Sequence, residues 1–242
     1  MLEIRTLGGL SLSLDGQQIK DIGSHKAQAL LVYLAVDAVL HNRNSLLALL
    51  WPESPQVQAS TSLRVALSIL RKYLGDYLDI SRETVRIKPG VGIYLDVSDL
   101  AQKLANGHTA AAIELYKGDF LQGFQVKDCL EFEDWQRCEQ ERMRHAFQEA
   151  LHTAVTQALQ TGDFQAGHTF VTRLLELDPL DELAHQKCML MHAQHGQRAA
   201  ALVHYKRCRR IFKVELGIDP SPQVQALYQQ ILHGAELDGQ WL

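Results

Sequence analysis

The sequence predicts a small α+β domain of strands, three helices and a β-hairpin, followed by an all-α domain of paired helices. Three observations predict this arrangement: short alternating strands frame the first part of the chain, one amphipathic helix dominates that part, and a 34-residue repeat marks the helical remainder. The composition suits two globular domains, since 46% of the 242 residues are hydrophobic and 21% are charged. We place the domains at residues 1–96 and 97–242.

Short apolar runs interrupted by glycine open the chain and predict a small antiparallel sheet over residues 2–20. Leu10, Leu12 and Leu14 follow the two-residue period of a strand. Asp15-Gly16 is a signal for a tight hairpin turn.

Two helices are predicted next. Ser24 is a suitable N-cap for a helix over residues 25–38. The second helix carries the run LLALLW and ends at Pro52. This run is apolar nearly all round, so the helix is either buried or partly covered by a partner. Its N-cap is left open among three residues: Asn42, Asn44 and Ser45.

Residues 57–74 form the predicted amphipathic helix. One face is apolar and carries Leu63, Ala66, Leu67, Leu70 and Leu74. The opposite face is basic, bears hydroxyl groups and carries Thr61, Arg64, Ser68, Arg71 and Lys72. It has no Asp or Glu, and such a face can lie in a DNA major groove because Arg and Lys neutralise phosphate while Ser and Thr allow close approach. The alternative is an ordinary solvated surface helix.

A β-hairpin is predicted after this helix. Strands at 78–80 and 85–87 flank the turn Ser81-Arg82-Glu83-Thr84, and a third strand returns at 93–95. Arg86 and Lys88 lie on the face opposite Val85 and Ile87. Strands, three helices and a hairpin in this order predict a winged helix, with the third helix as the recognition helix and Arg86 and Lys88 as wing cations for phosphates.

Helical periodicity dominates residues 97–242. Gly162 and Gly196 begin similar segments 34 residues apart, and Ala166 and Ala200 repeat at the same distance. This is the tetratricopeptide period, and such arrays leave a groove for peptides or other proteins. The alternative is a purely structural helical bundle. The predicted helices cover residues 99–106, 110–116, 131–159, 164–177, 182–195, 198–215 and 223–232.

Charge is distributed unevenly along the chain. Residues 1–96 hold ten Lys/Arg and nine Asp/Glu, a net of +1, and residues 97–242 hold fourteen and nineteen, a net of −5. A DNA surface must therefore be a local patch in the first part, and the second part is expected to face protein. Neither a signal peptide nor a membrane-spanning run is found, and the four cysteines are scattered, so we expect a cytoplasmic protein.

One helix face has residues suited to zinc. His185, Cys188, His192 and His195 recur at steps of three, four and three. The same positions are those at which a repeat helix packs inward, so we predict packing or groove lining and no metal. No phosphate-binding loop, dinucleotide fingerprint or nucleophile elbow occurs, which predicts a protein that is not an enzyme and needs no cofactor.

Several segments resemble one family of bacterial transcription factors, the antibiotic regulatory protein (SARP) type. The resemblance is carried by LLALLWPE, LRVALSILRKYL and IELYKGDFLQGF, and by ELGIDPSPQVQALY near the end. It implies an OmpR-like winged helix joined to a bacterial transcriptional activator domain that is tetratricopeptide-like. It also implies an activator that binds promoter repeats in double-stranded DNA and recruits RNA polymerase, and a homodimer on direct repeats.

The resemblance also assigns residues. The DNA readers are implied to be Thr61, Arg64, Ser68, Arg71, Lys72, Arg86 and Lys88. Trp51, Pro52 and Glu53 are implied to lie in the polymerase-facing region.

The chain departs from the family pattern at Ser60, Thr61 and Ile69, where family helices often carry Arg-Asn and a further Arg. At least two cations are therefore missing, which predicts weaker phosphate neutralisation. Two alternatives follow: a protein-interaction module that has lost DNA binding, and a segment of a larger regulator that gains DNA affinity by oligomerisation.

Overall fold

The computed structural model describes residues 1–19 and 22–234 of the chain. They belong to two compact units, Met1–His145 and Ala146–Leu242. The first unit therefore contains the predicted winged helix together with residues 97–145, which the sequence pattern grouped with the second domain. In chain order its elements are β1 (Leu2–Arg5), β2 (Ser11–Leu14), β3 (Gln17–Gln18), α1 (His25–Asp37), β4 (His41–Asn42), α2 (Arg43–Leu50), α3 (Gln56–Leu74), β5 (Leu78–Ile80), β6 (Thr84–Ile87), β7 (Ile93–Leu95), α4 (Asp96–Ala105), α5 (Thr109–Leu115) and the first part of α6 (Leu130–Thr161).

The N-terminal strands form a four-stranded sheet in the order β3-β2-β1-β7. The predicted antiparallel pairing is confirmed for β1, β2 and β3, and Asp15 and Gly16 adopt the positive φ angles (52° and 80°) of a tight hairpin turn. Strand β7 differs from the sequence interpretation. It belongs to the N-terminal sheet, where it pairs parallel to β1 with Leu2 opposite Ile93.

Three helices and a second sheet complete the winged helix. Ser24 caps α1 by accepting a hydrogen bond from the Ala27 amide, and Asn42 caps α2 by accepting one from the Asn44 amide. Helix α2 is less buried than its apolar sequence predicts, since only Leu46 and Leu50 are fully buried. Strands β5 and β6 form the predicted hairpin, and β4 completes the sheet in the order β4-β6-β5.

The Asp96 carboxylate joins the winged helix to the helices that follow it. It is 2% exposed and accepts hydrogen bonds from the Thr6 amide (2.6 Å), the Thr6 hydroxyl (2.8 Å) and the Leu7 amide (2.8 Å). It also accepts a hydrogen bond from the Val97 amide in the first turn of α4. One buried side chain therefore satisfies the backbone just after β1 and begins α4.

Residues of the YKGDFLQG motif pack against the same stretch of chain. The Leu121 amide donates to the Thr6 carbonyl at 2.7 Å, and the Gly8 amide donates to the Asp119 carbonyl at 3.1 Å. Phe120 is fully buried and its ring meets the edge of Trp135 on α6. The motif therefore has a structural role in the first unit.

The second unit contains the remainder of α6 and four further described helices, α7 (Phe164–Leu177), α8 (Glu182–Gln194), α9 (Arg198–Glu215) and α10 (Pro222–His233). Gly162 and Gly196 both have a φ of 73°, so the repeated glycines close the same kind of left-handed turn. Of the small residues predicted to pack between the paired helices, Ala201 is buried, whereas Ala166 and Ala200 are half-buried. Gly167 is the buried counterpart of Ala201 in the other copy of the repeat. Within residues 1–19 and 22–234, no helix is long and apolar enough to cross a membrane.

Candidate nucleic-acid interface

Helix α3 has the two faces that its sequence predicts. Its apolar stripe is buried, and the predicted readers Thr61, Arg64, Ser68, Arg71 and Lys72 are all exposed. The helix contains no Asp or Glu. Two of the cations lie in its last turn, where they also suit the partial negative charge of a helix C-terminus. The exposed face therefore offers positive charge and hydrogen-bonding groups without a competing carboxylate on the helix.

Two of these side chains have contacts within α3. The Thr61 hydroxyl donates to the Val57 carbonyl at 2.9 Å, so its oxygen remains available as an acceptor. The Lys72 ammonium lies 5.5 Å from the centre of the Tyr73 ring. Both groups remain at the surface.

A cleft lies between the start of α2, helix α3 and the tip of the β5–β6 hairpin. Its volume is about 680 Å³, and we call it the arginine cleft. Arg43, Arg64 and Arg82 line it against a single carboxylate, that of Glu83. Further polar lining comes from Asn42, Asn44 and Ser60. Guanidinium and amide groups of this kind are the usual partners of phosphate oxygens.

Arg43 fixes the hairpin tip against α2. Its guanidinium donates to the Ser81 carbonyl through Nη2 (2.8 Å) and Nε (3.2 Å), and its amide donates to the Glu83 carbonyl at 2.9 Å. The Ser81 hydroxyl oxygen accepts the Thr84 amide at 2.9 Å and closes the turn. The turn therefore holds Arg82 exposed at its tip.

The two predicted wing cations lie elsewhere. The Arg86 Nε donates to Asp79 Oδ2 at 3.0 Å across the hairpin, and the Lys88 ammonium donates to the Gly75 carbonyl at 3.3 Å. Both line a separate hollow of about 300 Å³. The structure therefore groups Arg64 with Arg43 and Arg82, to which the sequence interpretation gave no role. The sequence could have indicated Arg82 as an exposed cation, because this residue lies inside the predicted turn.

The departures from the family pattern have different surroundings. Ser60 lines the arginine cleft, whereas Ile69 is half-buried and packs closely against Gly23. A Cβ at Gly23 would approach Ile69 Cγ2 to 3.0 Å. Ile69 is therefore a packing residue here.

The predicted polymerase-facing segment is only partly accessible. The Trp51 side chain is 7% exposed and has the Lys26 ammonium 5.6 Å from its ring centre. Pro52 is half-buried and Glu53 is exposed. Of these three side chains, Glu53 is the one most available to a partner.

Two residues of the predicted histidine face, His185 and Cys188, belong to a hydrogen-bonded core, whereas His192 is half-buried beside Gln197 and His195 is exposed. His185 Nε2 lies 3.0 Å from the Pro179 carbonyl, and His185 Nδ1 lies 2.9 Å from His204 Nε2. His204 Nδ1 in turn lies 3.5 Å from the Cys188 sulfur. Burial lowers the pKa of His185, lowers that of His204 to about 3 and raises that of Cys188 to about 12. Among the described residues, no cluster of three His, Cys, Asp or Glu side chains has a geometry that could hold a metal ion.

Comparison with known proteins gives a consistent picture. The family model of the bacterial transcriptional activator domain matches residues 97–232. The chain is 27% identical over 247 residues to the regulatory protein AfsR of Streptomyces coelicolor, covering 96% of the chain and 24% of AfsR. It is 25% identical to the transcriptional regulatory protein MoaR1 of Mycobacterium tuberculosis, covering 98% of the chain and 81% of MoaR1.

A solved structure has the same fold. The chain of Mycobacterium tuberculosis EmbR, solved in complex with a low-affinity phosphopeptide, superposes with a TM-score of 0.76 at 23% identity, covering 98% of this chain and 66% of that one. This chain spans about a quarter of the length of AfsR and about two thirds of that of EmbR. AfsR, MoaR1 and EmbR are all named as regulatory proteins.

Proposed function

Because this chain belongs to the family of the bacterial transcriptional activator domain, and to the SARP-type regulators that carry it, we propose that it activates transcription by binding promoter DNA. The observation that carries this proposal is the arginine cleft beside an α3 face that has no acidic residue. A recognition helix in the major groove needs phosphate contacts on its flank to fix its position. Arg43 and Arg82 lie on that flank.

We assign the DNA contacts as follows. Thr61, Arg64 and Ser68 face base edges from the outer side of α3, where a guanidinium can read guanine and a hydroxyl can accept or donate. Arg71 and Lys72 bind phosphates beyond the end of the helix. Arg43 and Arg82 hold phosphates in the arginine cleft. Arg86 is a weaker contact because its charge is already paired with Asp79, and Lys88 is a weaker contact because it lines a separate hollow.

The activating step is assigned to the segment that follows α2. We propose that Glu53 contacts RNA polymerase, with Pro52 at the edge of the contact and the buried Trp51 holding the segment in place. Binding of two copies to direct repeats would place this segment twice beside the polymerase.

Titration against DNA from upstream of the chain's own gene, at two salt concentrations, tests the proposal. We expect tight, sequence-preferring binding. The logarithm of its association constant should fall linearly with the logarithm of the salt concentration. The variant Arg64→Ala/Arg71→Ala should lose the preference and lower the salt slope by roughly two. The matched control is Arg137→Ala/Arg142→Ala, which removes two exposed arginines that pair with Asp134 and Glu139 on α6.

A second function, that of a protein-interaction module, is favoured by the net charge of −5 over residues 97–242. Exposed apolar side chains of the second unit, among them Val203, Val214 and Ile218, would then contact a protein or peptide partner. Equal and weak DNA binding by the wild-type chain and by Arg64→Ala/Arg71→Ala would contradict the first proposal and favour this one.

A further inference from the structure

A second cavity of the first unit lies on the other side of α3 from the arginine cleft. It has a volume of about 690 Å³, is open to solvent on one side and is lined by the start of α1, Trp51, one face of α3 and the segment 125–128. We call it the α1–α3 cavity. Its volume falls within the range of sites that bind small organic molecules.

The body of the cavity is apolar. Trp51, Ala66 and Val126 form a wall of buried side chains. Val65 faces the same space from α3 and is 55% exposed, although it sits beside this wall. A ring-shaped or branched apolar group in the cavity would therefore bury the exposed part of Val65 against this wall.

The cavity has two cationic groups, Lys26 and Lys127, among polar groups that are mostly neutral. Lys26 is half-buried, with its ammonium over the Trp51 ring and beside the Cys129 thiol. Within residues 1–19 and 22–234, Lys26 takes part in no ion pair. Lys127 and the His25 ring also line the cavity, and Asp128 is its single carboxylate. A half-buried ammonium without a counter-ion favours an anionic group of a ligand.

We propose that the α1–α3 cavity binds a small amphipathic organic anion, with its apolar ring system against Trp51, Val65 and Val126 and its carboxylate or sulfonate at Lys26. Such a molecule would lie against Thr61 and Ser62 of α3. Resting on the function proposed above, we further infer that ligand and DNA compete for this side of the recognition helix. Each then weakens the binding of the other by the same factor.

Fluorescence titration of the full chain with anilinonaphthalene sulfonate, an aromatic anion, tests the binding site. We expect saturable binding of one molecule per chain. Lys26→Met, which keeps the apolar stem but removes the charge, should raise the Kd by about tenfold. Lys26→Arg should bind like the wild type, and Ser62→Trp, which fills the cavity, should abolish binding.

The control is Lys103→Met, which removes a lysine that pairs with Asp99 on α4 and should leave the Kd unchanged. Circular dichroism confirms that each variant is folded. Absence of saturable binding by the wild-type chain would overturn the assignment. If the dye binds to both Lys26→Met and Ser62→Trp as it does to the wild type, its site lies elsewhere and the assignment is also overturned.

DNA titration with and without saturating dye tests the competition separately. We expect the Kd for DNA to rise in the presence of the dye in wild type but not in Ser62→Trp. If the dye binds as expected while DNA affinity stays unchanged, competition is wrong and the cavity assignment stands. If the dye binds as expected and the chain has no DNA affinity at all, the proposed function fails and the binding site again stands.

Discussion

A cation contributes to phosphate binding only in so far as the protein leaves its charge unpaired, and the hairpin offers two arginines that differ in this respect. Arg82 is exposed at the tip and faces the arginine cleft, whereas Arg86 is paired with Asp79 at 3.0 Å. We expect Arg82→Ala to weaken binding to all DNA sequences alike and to lower the salt slope by about one, with Arg86→Ala lowering it less. Binding isotherms at several salt concentrations measure both slopes. A larger loss for Arg86→Ala would contradict this assignment of the phosphate contact.

His204 makes the second unit sensitive to acid. Its hydrogen bonds to His185 and Cys188 are consistent with two neutral imidazoles, and burial lowers the pKa of His204 to about 3, whereas an unfolded histidine has a pKa of about 6.5. The unfolded state therefore binds the proton first, and stability falls as the pH drops below about 6.5. We expect His204 to lower the free energy of unfolding by roughly 1.4 kcal/mol for each pH unit between about 6.5 and 3.

Urea denaturation from pH 7 to pH 5 measures this dependence. His204→Asn removes the buried imidazole, so its unfolding free energy should depend less steeply on pH than that of the wild type. His108→Asn, which changes an exposed histidine, is the matched control and should keep the wild-type slope. Equal slopes in all three proteins would show that His204 does not carry the effect.

At the scale of elements, the connection between β1 and α4 depends on Asp96. Replacing it with alanine leaves the buried Thr6 and Leu7 amides without their acceptor, and each such loss costs about 1–3 kcal/mol. We therefore expect Asp96→Ala to lower the unfolding free energy by roughly 3 kcal/mol or more, measured by urea denaturation at pH 7. Asp134→Ala removes an exposed carboxylate that pairs with Arg137 on α6 and should cost less than about 1 kcal/mol. Similar losses in the two variants would contradict the role given to Asp96.

The elements differ in how far their sequence determines them. Helix α3 is predicted almost to the residue, because its apolar stripe and its basic face lie within one continuous segment. The pairing of β7 with β1 is not predicted, because Leu2 and Ile93 meet across 91 residues of sequence and neither strand carries a local signal for its partner. The sequence does not predict the arginine cleft for the same reason, since the cleft brings together Arg43, Arg64 and Arg82 from three separate parts of the chain. The pairing of Arg86 depends on the β5–β6 register, which places Asp79 opposite it.

At the scale of the whole molecule, the compact units and the sequence pattern divide the chain at different places. The pattern changes at residue 96, where strands give way to helices, and the family model begins at residue 97. The first compact unit continues to His145. The hydrophobic period of a sequence indicates whether a segment is a strand or a helix. The compact units depend instead on which side chains are in contact.

The contacts predict which fragment folds independently. Residues 97–145 supply Phe120 and Phe132, both fully buried, as well as Trp135, whose ring packs edge-on against Tyr33 of α1 at 5.0 Å. The Cys129 thiol donates to the Leu50 carbonyl at 3.0 Å. A fragment of residues 1–96 loses all of these contacts, and burial of a single phenylalanine is worth about 1.5–3 kcal/mol against a total stability of about 5–15 kcal/mol.

We therefore expect a fragment of residues 1–145 to unfold cooperatively on heating. The fragment 1–96 should melt at least about 10 °C lower or show no cooperative transition. Thermal denaturation followed by circular dichroism compares the two, with a fragment of residues 146–242 as the control for the second unit. Equal melting temperatures would mean that residues 97–145 are dispensable to the winged helix. If 1–96 proves unstable, its failure to bind DNA would reflect loss of structure, so the recognition helix must be tested in the full chain or in residues 1–145.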